Sequence, residues 1–179
     1  MRMSVLIFGL PGAGKTTLAE QVRNNISGFN PVLWINGDDV RNKHQDFDFS
    51  REGRIRQAQR IRMLADEAQR DGMVAVCDFV CPYEDTREII EADISVWVDR
   101  IQESRYEDTN KTWETPQDGE YNLRLTEPYD VDQWAKIIAD MVYAFIKKDE
   151  ELGKYVEPDW KALDKKYANQ LIEPEQEDV

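Results

Sequence analysis

The chain has 179 residues, enough for one domain with a buried sheet and helices on both faces. Its formal net charge of −13 argues against a general nucleic-acid surface, so we do not expect a long nucleic acid as partner, and any basic site must be local. The sequence enters a strand-like run directly and nowhere holds 18 consecutive apolar residues, so we expect a cytoplasmic protein without a membrane partner. His44 is the one histidine that could join Cys77 and Cys81 as a metal ligand and cannot complete a ligand set with them, which favours two reduced thiols over a metal site.

The N-terminal segment carries the clearest motif. The apolar run from Ser4 to Phe8 precedes Gly9-Leu10-Pro11-Gly12-Ala13-Gly14-Lys15-Thr16, which reads G-x-x-x-x-G-K-[ST]. Glycines let the backbone turn tightly, so that successive N–H groups face one anion, and the following helix adds its positive end. A turn that only joins a strand to a helix is the alternative. The pattern predicts a phosphate-binding P-loop that binds a purine triphosphate.

The same motif assigns roles to its side chains. We predict that Lys15 reaches the β- and γ-phosphates and that the Thr16 hydroxyl binds the magnesium ion bridging them. The expected cofactors are therefore ATP and Mg²⁺. The residues expected to contact the nucleotide are Gly9, Pro11, Gly12, Ala13, Gly14, Lys15, Thr16 and Thr17, joined by Arg105 from a later charged segment.

The second strand, over residues 32–35, ends in an acidic turn. It leads into Asn36-Gly37-Asp38-Asp39-Val40-Arg41, and ligands of open parallel sheets bind outside the carboxyl ends of strands. We interpret Asp38 as a residue of such a ligand site. Its alternative role is that of an N-cap for the next helix.

A local basic segment follows in this acidic chain. Residues 41–62 hold seven arginines and lysines against three acids, and Ser50 is the expected N-cap of a helix running to about Arg70. A solvated basic face is the usual meaning of such a run, but its place beside a P-loop favours a second anionic ligand. Arg54, Arg56 and Arg60 are the candidates.

The rest of the chain alternates strands and helices. We expect strands over 73–79, 94–98 and 121–125, a short helix over 84–91, and a charged lid over 100–119. Asp130 is expected to cap an amphipathic helix whose buried stripe is Trp134, Ile137, Ile138, Met141 and Phe145.

These elements predict an α/β protein, a three-layer α/β/α P-loop fold with a mainly parallel five-stranded sheet. We expect a kinase domain over 1–147 and an acidic, partly helical extension over 148–179, with a helix around 160–171.

Several motifs together resemble those of the adenylylsulfate kinase family, over about residues 3–146. That family's pattern reads roughly D-G-D-N-V-R, G-F-S, D-R-x-x-N-I-R-R and F-I-S-P-x-R. The corresponding segments are Asn36-Gly37-Asp38-Asp39-Val40-Arg41, Asp48-Phe49-Ser50, the run from Arg54 to Arg60, and Phe79-Val80-Cys81-Pro82.

The resemblance implies a three-layer P-loop kinase of sulfate assimilation, which moves the ATP γ-phosphate to the 3′-hydroxyl of adenosine 5′-phosphosulfate and gives PAPS. It implies Lys15 and Asp38 as catalytic residues, Arg41 and Arg54 as ligands of the phosphosulfate, and a Phe49–Phe79 sandwich around the adenine. Gln57, Val80 and Cys81 complete the implied substrate contacts.

The pattern also has departures. Asn36 replaces the family's first aspartate, Gln57 its asparagine, Gln59 an arginine, Cys81 a serine and Glu84 an arginine. Another nucleotide, a sugar or a polynucleotide 5′-hydroxyl remains open as acceptor, as does a nucleotide-binding module without turnover. A homodimer is also left open.

Overall fold

The sheet of this chain is parallel throughout. The computed structural model describes residues 3–167 and residue 170. Its five strands pair in the order β2-β3-β1-β4-β5, which confirms the predicted α/β fold. The strands are β1 (Ser4–Phe8), β2 (Val32–Asn36), β3 (Val74–Phe79), β4 (Ile94–Val98) and β5 (Leu123–Leu125).

Helices cover both faces of the sheet and its carboxyl-terminal edge. They are α1 (Lys15–Ser27), α2 (Gly37–His44), α3 (Arg51–Arg70), α4 (Glu84–Ile90), α5 (Glu107–Thr112), α6 (Val131–Glu151) and α7 (Trp160–Tyr167). No helix in the described part of the chain combines the length and the apolar character needed to cross a membrane.

The alternation of side chains along β1 explains the layers. Val5 and Ile7 belong to one core, which α1 and α6 close. Leu6 and Phe8 point to the other face and belong to a second core, which α3 closes. Because successive strand residues face opposite sides, a strand buried on both faces must be apolar at every position.

Side-chain caps set where three helices begin. Ser50 accepts a hydrogen bond from the Gly53 N–H, and Asp130 accepts one from the Gln133 N–H, as expected. The acidic turn after β2, by contrast, is the first turn of α2. Its cap is Asn36, whose side chain accepts from the Asp38 and Asp39 N–H groups. The alternative role of Asp38 as N-cap is therefore wrong.

The buried stripe of α6 differs from the predicted one, of which only Ile138 is buried, whereas Trp134, Ile137 and Met141 are partly buried. Phe145 is 47% exposed, and Ile146 lies in the core instead. The buried positions are Ala135, Ile138, Ala139, Val142 and Ile146, which keep the helical spacing of three or four. The sequence analysis placed the large ring of Phe145 in the buried stripe, but the phase of the helix decides which residues are buried.

The C-terminal extension folds back on the end of α3. Leu163 and Tyr167 of α7 are buried in the second core, and the Tyr167 hydroxyl donates to Asp71 at 2.8 Å. Lys166 pairs with Asp71 and Glu67. Helix α6 continues through residue 147 to Glu151, and the predicted helix beyond Tyr167 falls largely outside the described residues.

Ile138→Ala should lower the free energy of unfolding by about 2–5 kcal/mol, because it removes a fully buried side chain and leaves a cavity. Phe145→Ala, seven residues on along the same helix, should change it by about 0.5 kcal/mol or less. Urea unfolding of both variants measures the difference. Equal losses would contradict the stripe described here.

Candidate active site

The P-loop joins β1 to α1 in a conformation that only glycine supports at two positions. A Cβ on Gly9 would lie 2.5 Å from the Val98 carbonyl oxygen of β4. Gly14 has φ +98°, in the left-handed region that side chains disfavour, and a Cβ there would lie 2.8 Å from the Arg100 guanidinium. The loop is therefore pressed against the end of β4, and its Ala13 N–H donates to the Leu10 carbonyl at 3.1 Å. The other N–H groups of such a loop can face one anion.

Lys15 lies buried within this loop. Its ammonium donates to the Leu10 carbonyl at 2.9 Å. Burial lowers the pKa of Lys15 to about 8, against the opposing negative charges of Asp78 and Asp38. The lysine is thus held beside the anion-binding amides, with a charge that an incoming phosphate would stabilise.

Asp78 is the residue that sequence reasoning missed. It is the penultimate residue of β3 and is 2% exposed, and its carboxylate accepts from the Thr16 hydroxyl at 3.1 Å and the Trp34 indole N–H at 2.6 Å. The Asn36 amide donates to both carboxylate oxygens at 3.1–3.2 Å. The available signal was a single charged residue inside an otherwise apolar strand, one position before the Phe79 motif.

Asp38 lies in the first turn of α2 with its side chain exposed. The negative charge of Asp38 raises the pKa values of Lys15 and Arg41, which places the carboxylate near both the P-loop and the basic residues of α2. This is where a group acting between a nucleotide and a second substrate would stand.

Arg41 and Arg54 converge on the ring of Phe49. Their guanidinium carbons lie 4.5 and 5.6 Å from the ring centroid. Both side chains are buried, whereas Phe49 is 56% exposed. Burial lowers the pKa of both arginines, and the charge of Arg54 lowers that of Arg41 further, although both stay protonated at neutral pH.

These two arginines bond to neutral acceptors. Arg41 donates to the Asp46 and Asp48 carbonyls, and Arg54 donates to the Phe49 carbonyl and the Thr109 hydroxyl. In the described part of the chain neither forms an ion pair with a carboxylate. Two buried guanidinium groups without an ion-paired carboxylate favour an anionic ligand.

Arg56 and Arg60 do not belong to this group. Both pair with Asp46, and Arg56 also pairs with Asp48. The expectation that they hold a second anionic ligand is therefore wrong, since their partners come from the loop that precedes α3. The bonds from Arg56 and Arg60 hold the pKa of Asp46 well below its usual range, and hydrogen bonds from Ser50 and Arg56 lower that of Asp48 to about 2.

The remaining expected substrate residues lie at the ends of β3 and α3. Gln57 is 2% exposed, and its amide donates to the Gly37 carbonyl at 2.7 Å while its own oxygen has no partner. Phe79 and Val80 are half-buried at the strand end. The Cys81 side chain is fully buried, with its sulfur 3.5 Å from the Thr86 hydroxyl, so only its backbone can face a ligand.

The predicted lid contains the short helix α5, and its cations are placed differently from expectation. The Arg105 guanidinium lies 4.9 Å from the ring centre of its exposed neighbour Tyr106. Arg100 contacts the P-loop instead: it donates to the Ala13 carbonyl at 3.2 Å and stacks on Tyr129 at 4.2 Å. The sequence did not indicate that Arg100 contacts the P-loop, because spacing within a loop carries no directional information.

A family model described as adenylylsulphate kinase matches residues 1–123. The probable adenylyl-sulfate kinase of Aeropyrum pernix is 35% identical over 89 residues, which are 48% of this chain and 48% of that protein. The adenylyl-sulfate kinase of a Synechococcus species is 31% identical over 99 residues, 54% of this chain and 56% of that protein. The chain thus spans about half the length of the curated relatives it matches.

The fold is similar to that of the Mycobacterium tuberculosis APS kinase CysC, solved in complex with AMPPNP and APS. The TM-score is 0.66 at 19% identity, and the alignment covers 79% of this chain and 97% of that one. This likeness shows the fold, and the family model extends over most of the chain, including the P-loop, Asp38 and the Arg41–Phe49–Arg54 group. The chain therefore belongs to the adenylylsulphate kinase family.

Proposed function

We propose that this protein is an ATP-dependent kinase that phosphorylates the 3′-hydroxyl of adenosine 5′-phosphosulfate. The observation that carries the proposal is the Arg41–Phe49–Arg54 group. It offers two buried guanidinium charges without a carboxylate partner, beside an exposed aromatic ring. An acceptor with a flat base and an anionic tail matches that combination, because bases stack on rings and guanidinium groups suit phosphate and sulfate oxygens.

The donor side is the P-loop. In this proposal the loop amides and Lys15 bind the β- and γ-phosphates of ATP, with Gly9, Pro11, Gly12, Ala13, Gly14, Thr16 and Thr17 in contact with the nucleotide. Arg105 would reach the nucleotide from the lid, where it now contacts Tyr106. Arg100 is already bonded to the loop and would contact the nucleotide from the opposite side.

Magnesium fits the groups at the loop. Thr16 and Asp38 supply hard oxygen donors, the kind that Mg²⁺ prefers. No cluster of three or more His, Cys, Asp or Glu side chains in the described part of the chain is arranged to hold an ion by itself. This agrees with an ion held mainly by nucleotide phosphates and water. When bound, magnesium would neutralise charge that develops on the transferred phosphate.

Asp38 is proposed to act on the acceptor. Its exposed carboxylate stands between the P-loop and Arg41, so it can accept the proton of a hydroxyl held by the substrate group. Phe79, at the end of β3, is proposed as the second ring of the adenine sandwich. Gln57, Val80 and Cys81 would line the rest, with the unpartnered Gln57 oxygen available to accept a hydrogen bond.

The proposal treats residues 1–147 as the kinase domain and 148–179 as an extension. It places the protein in the cytoplasm, in keeping with two buried cysteines that form no disulfide. A homodimer is compatible with it.

Transfer from labelled ATP to a panel of adenosine 5′-phosphosulfate, AMP, gluconate and a 5′-hydroxyl oligonucleotide tests the identity of the acceptor. Transfer to another member of the panel with none to adenosine 5′-phosphosulfate would contradict the proposed acceptor and support only the kinase activity.

Nucleotide binding should take up protons above neutral pH. The unliganded Lys15 has a pKa of about 8, and bound phosphates must raise it, so binding near pH 8 should take up about half a proton. Affinity should therefore fall as pH rises through 8. Calorimetry in two buffers of different ionisation enthalpy measures the uptake.

Lys15→Arg is the matched control, because a guanidinium stays charged throughout this range. It should abolish the proton uptake while retaining measurable nucleotide binding, whereas Lys15→Ala should weaken binding and stop transfer. An unchanged uptake in Lys15→Arg would assign the proton to another group.

Asp38→Asn should lower the rate of phosphate transfer by about 10²-fold or more, while the nucleotide still binds. The amide keeps the size of the side chain but can neither accept the proton nor bind the ion as strongly. Asp39→Asn, its exposed neighbour in the same first turn of α2, should leave transfer nearly unchanged. Equal effects of the two variants in a kcat assay would refute a special role for Asp38.

Phe49→Ala should raise the KM for the acceptor by about 5- to 150-fold, from the loss of roughly 1–3 kcal/mol of stacking, with little change in the KM for ATP. Phe47→Ala is the control, since Phe47 is equally exposed and lies on the same loop two residues away. Steady-state kinetics with each substrate varied in turn separates the two effects. A KM change of similar size for ATP would remove Phe49 from the acceptor site.

A further inference from the structure

The charge at the ends of β2 and β3 is arranged differently from the family pattern given above. That pattern has an aspartate where this chain has Asn36, so the end of β2 carries an amide without charge. Asn36 pairs in register with Asp78 of the neighbouring strand. A carboxylate is therefore present at this edge of the sheet, but on β3 instead of β2.

Asp78 is aimed at the P-loop. Its Oδ2 accepts from the hydroxyl of Thr16, the side chain proposed above to bind magnesium. Its Oδ1 is held by the Trp34 indole, and the Asn36 amide spans both oxygens. These bonds leave the carboxylate one orientation, beside an exposed threonine at the start of α1.

The buried negative charge of Asp78 is a costly feature at this position. Asp78 is almost fully buried, and among the described residues it forms no ion pair. Burial raises the pKa of the Asp78 carboxyl, and the donors Trp34, Asn36 and Thr16 together with the positive charge of Lys15 oppose that rise. These donors lie on both oxygens of Asp78, and an asparagine could accept on one side only, so the network requires a carboxylate. A nearby divalent cation would make the charge favourable.

We propose that Asp78 is the carboxylate that positions Thr16 and the hydrated magnesium ion, in place of the one absent at Asn36. This inference rests on the proposed function, since it assumes that a magnesium–nucleotide complex binds the P-loop. Asp78 acts through Thr16 and through ordered water, so it is a positioning residue. Asn36 orients it and, through its own oxygen, caps α2.

The test compares nucleotide affinity with and without the ion. Binding of a non-hydrolysable ATP analogue is measured by calorimetry in excess EDTA and across a Mg²⁺ titration. In Asp78→Asn the apparent Mg²⁺ affinity of the complex should fall by about 10- to 100-fold, as expected when a group orienting a metal ligand is removed. The affinity in EDTA should change little. A wild-type Mg²⁺ dependence in this variant would overturn the proposal.

Two further variants separate charge from structure. Asn36→Asp combined with Asp78→Asn exchanges the two side chains across the strand pair, so the hydrogen bonds and the α2 cap can persist. This double variant should recover most of the Mg²⁺ dependence. Failure to recover it, in a protein that unfolds cooperatively, would contradict the exchange. The double variant also provides the test of the proposal if Asp78→Asn alone does not fold.

Trp34→Phe removes one hydrogen bond from the same carboxylate but leaves its charge. It should lower the melting temperature and leave the Mg²⁺ dependence within about threefold of wild type. A loss as large as that of Asp78→Asn would show that the network has only a structural role. Wild-type protein that binds no nucleotide at all would instead contradict the proposed function.

Discussion

The hydrogen bonds that converge on the Asp78 carboxylate join the parts of the molecule that must work together. Trp34 and Asn36 come from β2, Asp78 from β3 and Thr16 from α1. Because parallel strands end at the same edge, a single buried carboxylate can fix the P-loop helix relative to the end of β2. The Asn36 side chain also accepts hydrogen bonds from the first N–H groups of α2, so the position of α2 depends on the same network. The positions of the P-loop helix and of α2, which carries Asp38, are thus set by one group of atoms.

The Arg41–Phe49–Arg54 group, the proposed acceptor site, depends on a separate set of ion pairs. Arg56 and Arg60 hold the loop before α3 through Asp46 and Asp48. The carbonyls of that loop orient Arg41, which therefore needs no carboxylate of its own. Arg56 and Arg60 neutralise the loop's acids and fix its shape, whereas Arg41 and Arg54 form no ion pair in the described part of the chain. Composition alone could not distinguish the two pairs, because all four lie in one basic segment.

The sequence predicted the parallel sheet, the P-loop and most helix starts, since apolar periodicity and capping residues are local signals. Asn36 was mistaken for part of an acidic turn because a cap and a turn share the same residue types. Asp78 was missed because its partners Thr16 and Trp34 are distant in the chain, and only strand register brings them together. The contact of Arg100 with the P-loop could not be predicted for the same reason. Phe145 shows that size is a weaker guide to burial than helical phase.

The contact between Gly37 and Phe79 limits how the pocket can be re-engineered. A Cβ on Gly37 would lie 2.5 Å from the Cβ of Phe79, so the first residue of α2 and the last residue of β3 already touch. A larger aromatic side chain at position 79 cannot expand towards α2 without pushing that helix, and Asp38 with it, out of place. A designer who wants a bulkier acceptor must instead open the solvent side, where the exposed ring of Phe49 lies on a loop that can be rebuilt.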